Sequence, residues 1–153
     1  MSMVDITSKP EVFREATAVG RLKLKAETVK LIRKGEVEKG DPFYTAKIAG
    51  VLAAKNTSNI IPLCHPLPIT NVKVEIEAVN ETTVEVTSTV RTKAQTGVEM
   101  EALVATATAL LTVWDMVKQY EKDPQGQYPF TLIEKIRVVR KTKGRKIEES
   151  SDE

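Results

Sequence analysis

Three prolines within seven positions restrict this chain more than any other feature. They fall in the run Asn59-Ile60-Ile61-Pro62-Leu63-Cys64-His65-Pro66-Leu67-Pro68. Proline fixes φ, cannot donate a backbone hydrogen bond, and pushes the residue before it out of the α region. The run is therefore predicted to be a stiff extended connector, neither helix nor central strand. It also holds the only histidine and the only cysteine of the 153 residues. A lone imidazole on a rigid connector can be aimed at a ligand. A single histidine in an apolar stretch is also often a plain turn or core residue.

The flanking segments have clearer periods. Ala18, Gly20, Leu22 and Leu24 alternate with Arg21, Lys23 and Lys25, which predicts a half-buried strand. A short helix is expected over 26–34, stopped by Gly35. Asp41-Pro42 reads as N-cap and first-turn proline of a second helix ending near Lys55. Ala46, Ala49, Gly50 and Ala53 give that helix a small-residue face, which lets another backbone approach closely. Beyond the connector, Val72, Val74, Ile76 and Ala78 alternate with polar residues. Val84, Val86, Ser88 and Val90 repeat the pattern across an Asn80-Glu81-Thr82 turn, so a hairpin is predicted.

Thr96-Gly97-Val98-Glu99 has the form of a capping box opening the longest helix, to about Tyr120. Its expected apolar stripe is Leu103, Ala107, Leu110, Leu111, Trp114 and Val117. A turn at Asp123-Pro124-Gln125-Gly126 precedes a last strand, residues 131–140. Without the extra second helix the order is βαββαβ, the split βαβ or ferredoxin-like pattern. The expected architecture is α+β, an antiparallel sheet with helices on one face, in a single domain spanning 1–153. Residues 1–15 and 142–153 are expected to be flexible.

Composition narrows the function classes. With 23 basic and 21 acidic residues, a general polyanion binder is not indicated. No run suggests a signal peptide or a membrane span of about 20 apolar residues, so a cytoplasmic protein is expected. One cysteine and one histidine cannot supply the four ligands of a Cys/His zinc site, and neither metal nor cofactor is expected. No Walker loop, GxGxxG fingerprint or nucleophile-triad spacing is present.

Four clusters hold most of the candidate chemistry. Lys39-Gly40-Asp41 lies at a turn, where Gly can simply make the turn and Asp cap the helix. Cys64-His65 lies on the connector. Glu99-Met100-Glu101 starts the long helix, where acids also suit the helix dipole. Asp115 and Lys118 are three apart on one helix face, the spacing of an ordinary ion pair. Together they suit an anionic substrate, with lysines and histidine supplying charge and protons and carboxylates orienting them. A lysine desolvated among cations can have its pKa lowered enough for acid–base work.

Several strings recur here in a distinctive order. They are Met3-Val4-Asp5-Ile6-Thr7-Ser8-Lys9, Lys39-Gly40-Asp41, Ala46-Lys47-Ile48-Ala49-Gly50, Ala53-Ala54-Lys55, Ile61-Pro62-Leu63-Cys64-His65-Pro66-Leu67, Thr96-Gly97-Val98-Glu99-Met100-Glu101-Ala102-Leu103 and Trp114-Asp115-Met116. From Met3 to about Arg140 the chain resembles cyclic pyranopterin monophosphate synthase, the molybdenum-cofactor biosynthesis protein C family. The resemblance implies a lyase acting on a GTP-derived small molecule, 3′,8-cyclo-7,8-dihydro-GTP. The implied products are cyclic pyranopterin monophosphate and pyrophosphate.

By motif, the resemblance assigns catalytic roles to Lys39, Lys118, Asp115 and His65. It assigns substrate lining to Leu63, Cys64, His65, Pro66, Glu99, Met100, Glu101 and Lys55. It implies a homohexamer, a trimer of dimers with sites at subunit interfaces. The small-residue face and the uncovered sheet face would suit such packing. Two departures stand out. Trp114 replaces a common Tyr, and the string Arg140 to Lys146 keeps the family's charge without its double glycine.

Two readings from other classes compete. A nucleic-acid-binding ferredoxin-like module would need aromatics on the central strands, and residues 70–79 and 83–92 contain none. An assembly subunit with a dead site is disfavoured by the intact Lys39, His65, Asp115 and Lys118. No nucleic-acid or membrane partner is expected.

Overall fold

The computed structural model describes residues 1–144. Four strands and three helices follow in the order β1 (Val12–Lys23), α1 (Ala26–Lys34), α2 (Pro42–Lys55), β2 (Ile69–Asn80), β3 (Thr83–Ala94), α3 (Glu99–Glu121) and β4 (Leu132–Lys143). The strands form one antiparallel sheet in the order β2-β3-β1-β4. This is the α+β, ferredoxin-like arrangement predicted above, with one extra helix.

Alternation decides which face is buried. Ala16, Ala18 and Leu22 of β1 and Val84, Val86 and Val90 of β3 point to the helices and are essentially inaccessible. α3 lies across them, burying Ala102, Ala105, Ala109, Leu110, Val113 and Val117. The opposite sheet face carries Thr17, Thr87, Thr89, Arg91, Lys73 and Glu75. On it the Thr17 and Thr89 hydroxyls bond at 3.0 Å. Arg91 Nε donates to the buried Glu15 at 2.5 Å.

α1 ends as expected at Gly35, whose φ of 67° is left-handed and whose N–H returns to Ile32. Asp41 caps α2, its Oδ1 accepting from the N–H groups of Phe43 and Tyr44 at 3.0 and 3.1 Å. The small-residue face of α2 meets α3 and β2 of the same chain rather than another subunit. A Cβ on Gly50 would stand 3.0 Å from Val74 Cγ2 and 3.2 Å from the Ala105 carbonyl. A side chain there would force Val74 or the α3 backbone to give by a few tenths of an ångström.

Three expectations are corrected. α3 starts at Glu99 with Val98 as N-cap, and no side chain caps it. Thr96 lies outside the helix, so the capping box does not form. The stripe expected on α3 is rotated, with Leu111 57% exposed while Ala105, Ala109 and Val113 are buried. This helix is apolar nearly all round, so its period conceals the inner face. The connector is not extended throughout: Leu67 to Ile69 is a tight turn closed by Ile69 N–H to the Leu67 carbonyl at 3.0 Å. Ile61 to Cys64 is a β-turn closed by Cys64 N–H to the Ile61 carbonyl at 3.1 Å, with Pro62 suited to the turn's second position.

Strand structure also reaches into both flanks, since β1 begins at Val12 and β4 continues to Lys143. The charged tail expected beyond that point lies, from residue 145, outside the described residues. α3 is long and apolar enough by length and composition to cross a membrane, yet here it is the central helix packed on the sheet.

Candidate active site

The candidate residues gather at the two ends of α3. Glu101 and Asp115 belong to one helix, so at 1.5 Å per residue they stand roughly 21 Å apart along its axis. A single chain therefore does not bring His65 and Lys118 to one point.

At the C-terminal end, Asp115 holds two ammonium groups. Lys118 Nζ donates to its Oδ1 at 2.9 Å, and Lys39 Nζ lies 3.8 Å from its Oδ2. Lys39 also donates to the Asp115 carbonyl at 3.2 Å. The Lys118 hydrogen bond and the two positive charges push the Asp115 carboxyl below its ordinary pKa. Asp115 in turn pushes the Lys118 ammonium upward, opposite to the lowering expected of an acid–base lysine. The Asp115 hydrogen bond and charge dominate, and the slight desolvation of this exposed side chain does not offset them. Nearby, Trp114 and Tyr128 meet edge to face with centroids 5.2 Å apart.

At the N-terminal end, the Cys64 thiol lies 3.7 Å from Glu101 Oε2 and can donate to it. Glu101 is 2% exposed, and its other oxygen, Oε1, is buried with no hydrogen-bond partner. Burial raises the Glu101 pKa. Burial and the Glu101 charge raise that of Cys64. Cys64 is thus a thiol at neutral pH, not an activated nucleophile.

His65 Nε2 donates to the Val4 carbonyl at 2.7 Å, which ties the N-terminal segment to the connector and leaves Nδ1 as the second ring nitrogen. Leu63 and Met100, 44% and 40% exposed, add apolar surface at this end. Pro66 is exposed on the connector, and Lys55 is exposed at the end of α2. No hydrogen bond or ion pair among the described residues joins Lys55 to the cluster.

Beside this cluster lies a polar pocket of about 340 Å³, lined in part by Lys9, Arg14, Glu99, Lys141 and Lys143. Glu99 anchors its wall through Lys141 at 2.8 Å. Burial pushes the Glu99 pKa up, but the hydrogen bond and charge of Lys141, with the charge of Arg14, bring it below the ordinary value. Arg14 Nε is buried without a partner, while its Nη2 donates to the Gln95 carbonyl at 3.4 Å.

Lys9, Arg14, Lys141 and Lys143 were not candidates from sequence. Arg14 and Lys143 fall in the flanks expected to be flexible, and Lys141 lies just past the expected last strand. Their convergence comes from strand pairing, which sets Arg14 of β1 opposite Lys143 of β4. Lys9, as the end of the first motif string, and Lys141 and Lys143, in the basic string Arg140 to Lys146, carry a sequence signal; Arg14 carries none. Among the described residues no group of three or more His, Cys, Asp or Glu is placed to hold a metal ion.

Comparison with known proteins adds a family. The model of the MoaC family matches residues 3–144. A relative from Sulfolobus acidocaldarius is 58% identical over 141 residues, covering 92% of this chain and 98% of that protein. A relative from Pyrococcus furiosus is 54% identical over 143 residues, covering 94% and 91%. One from Thermococcus kodakarensis is 53% identical over 144 residues, covering 94% and 92%. Each of the three is named a probable cyclic pyranopterin monophosphate synthase.

Proposed function

The chain belongs to the MoaC family, and we propose that it is a cyclic pyranopterin monophosphate synthase acting on 3′,8-cyclo-7,8-dihydro-GTP. The observation that carries the reading is the pocket at the N-terminal end of α3. Four cationic side chains, Lys9, Arg14, Lys141 and Lys143, line it beside the Cys64–Glu101 pair. A triphosphate needs that density of positive charge, and only the arginine can grip it bidentately. The half-exposed Leu63 and Met100 offer apolar contact for the fused rings. The Glu101 carboxyl, held toward its neutral form by burial, can meet a ring nitrogen or carbonyl.

The reaction rebuilds a purine as a pterin and closes a cyclic phosphate with loss of pyrophosphate, so it needs several proton transfers. In this reading Lys39 and Lys118 carry them, Asp115 orients both ammonium groups, and His65 serves the phosphate or a proton. One chain keeps the lysine pair roughly 21 Å from the cationic pocket, so each complete site takes the pocket of one chain and the lysine pair of another.

Such a union also resolves the charge problem. The second chain's cations and the exclusion of water would lower the lysine pKa values that exposure leaves high. A homohexamer, a trimer of dimers, supplies the required interfaces. The exposed apolar stripe of Tyr44, Ile48 and Leu52 along α2, with Leu111 on α3, offers surface for contact between copies.

The test is incubation of the purified protein with the cyclised GTP intermediate, followed by assay of pyrophosphate and of the pterin product. Release of both in equal amounts is expected. Failure to release pyrophosphate from a folded, oligomeric sample would refute the assignment.

A further inference from the structure

Lys39 sits on an exposed turn whose first residue, Val37, is buried in the core. Val37 to Gly40 is closed by Gly40 N–H to the Val37 carbonyl at 3.1 Å, and Gly40 takes a φ of 118°. On the side of α1 and α2 the turn borders a cavity of about 360 Å³, lined by Ile32, Arg33, Val37, Gly40, Pro42 and Phe43 among others. Past Val37 the turn is exposed on that side, and a Cβ on Gly40 would meet nothing within 4 Å. Its polar anchorage comes from α3 instead. The Glu38 N–H donates to the Tyr120 hydroxyl oxygen at 3.0 Å, and Gln119 Nε2 donates to Glu38 Oε2 at 2.9 Å. Asp115, one helical turn before Gln119, receives Lys39.

We propose that Tyr120 and Gln119 are positioning residues that clamp Glu38 and so hold the adjacent Lys39 against Asp115. The inference rests on the reading above, in which Lys39 works in the reaction. Neither residue touches the reacting centre. They act by removing freedom from the exposed end of the turn beyond Val37, since misplacing a reacting group by about 1 Å can cost up to 10²-fold in rate. The Tyr120 ring packs at the edge of the core, so its position is set by the fold rather than by the turn. The clamp thus transmits the rigidity of α3 to Lys39.

The experiment compares wild type, Lys39→Ala, the double variant Y120F/Q119A and the exchange E38Q/Q119E in steady-state pyrophosphate release. Thermal melts and amide exchange at Glu38 accompany it. Phenylalanine keeps the ring and loses the hydroxyl. The exchange reverses donor and acceptor but keeps the bond. We expect Y120F/Q119A to lower kcat roughly tenfold with KM and melting temperature nearly unchanged. Protection of the Glu38 amide should fall, while E38Q/Q119E retains most of kcat.

An unchanged kcat in Y120F/Q119A beside an inactive Lys39→Ala would overturn the clamp and leave the proposed function standing. Full turnover by Lys39→Ala would remove the clamp and the role given to Lys39, while the pyrophosphate released would leave the synthase assignment standing. A loss of kcat that follows the melting temperature, or a failure of E38Q/Q119E to retain activity, would assign these residues a general structural role and overturn the clamp.

Discussion

Removing the Glu121 carboxylate should destabilise the fold more than any other single polar truncation in α3. The residue is 0% exposed, at the last position of the helix. Its oxygens accept the Lys25 N–H at 3.2 and 3.1 Å, the Thr131 hydroxyl at 2.5 Å and the Thr28 hydroxyl. Lys25 is the N-cap of α1 and has no capping side chain of its own. Glu121 therefore caps α1 from a distance and sets a negative charge at its positive end.

In Glu121→Ala, two hydroxyls and one backbone N–H lose their buried acceptor, at about 1–3 kcal/mol each before the hydroxyls reorient. A net loss of about 3–5 kcal/mol follows once that relief and the small cavity are included. Glu121→Gln keeps the shape but turns charge-assisted bonds into neutral ones and sets an amide donor among donors, so about 2 kcal/mol is expected. For a chain of this size that is a fall of roughly 4–8 °C in Tm. Urea unfolding followed by circular dichroism, at one fixed protein concentration because association shifts apparent stability, measures both. Thr28→Val should cost less, about 1 kcal/mol, because it removes a donor and leaves the carboxylate its other partners. A Glu121→Gln variant as stable as wild type would refute the argument that an ionised acceptor holds this corner together.

Lys39→Ala and Lys118→Ala should abolish turnover with unchanged melting temperature, both side chains being exposed. Lys118→Arg should fail as well if a proton must leave the side chain, because arginine stays charged, and near-normal turnover would reduce Lys118 to a point charge. Mixing His65→Ala with Lys118→Ala under conditions that exchange subunits should restore part of the activity. No recovery despite proven exchange would place both residues on one chain.

Glu101 makes stability depend on pH. Its folded pKa lies above the ordinary 4.5, so its favourable contribution is present below that value and is lost as pH climbs through the raised one. Glu101→Gln should accordingly match wild type in acid and become the more stable protein toward neutral and alkaline pH, with turnover impaired. A stability difference that does not vary with pH would count against a carboxyl raised by burial.

Much of the fold is legible in the residues because local rules carried it. Gly35, Asp41-Pro42 and the Asn80-Glu81-Thr82 turn punctuate the chain where backbone conformation demands those residue types, and strand alternation names the inner face of the hairpin. Legibility failed where local signals competed. Thr96 to Glu99 matches a capping box in letters, yet the helix starts at Glu99. The inner side of α3 is obscured because apolar residues surround it.

The candidate chemistry divides along the same line. The motif strings contain the candidates Lys39, Cys64, His65, Glu99, Glu101 and Asp115, and three-residue spacing from Asp115 adds Lys118, since residue types can be read without coordinates. Only tertiary structure separates them into two groups at opposite ends of one helix, because distance along α3 is rigid and a string of letters has no length. Only strand pairing brings Arg14 beside Lys141 and Lys143. Only packing turns Glu121, which reads as an ordinary charged helix end, into a buried acceptor for another helix's first turn. Such roles depend on which groups are excluded from water together, and that is decided by contacts between residues far apart in the chain.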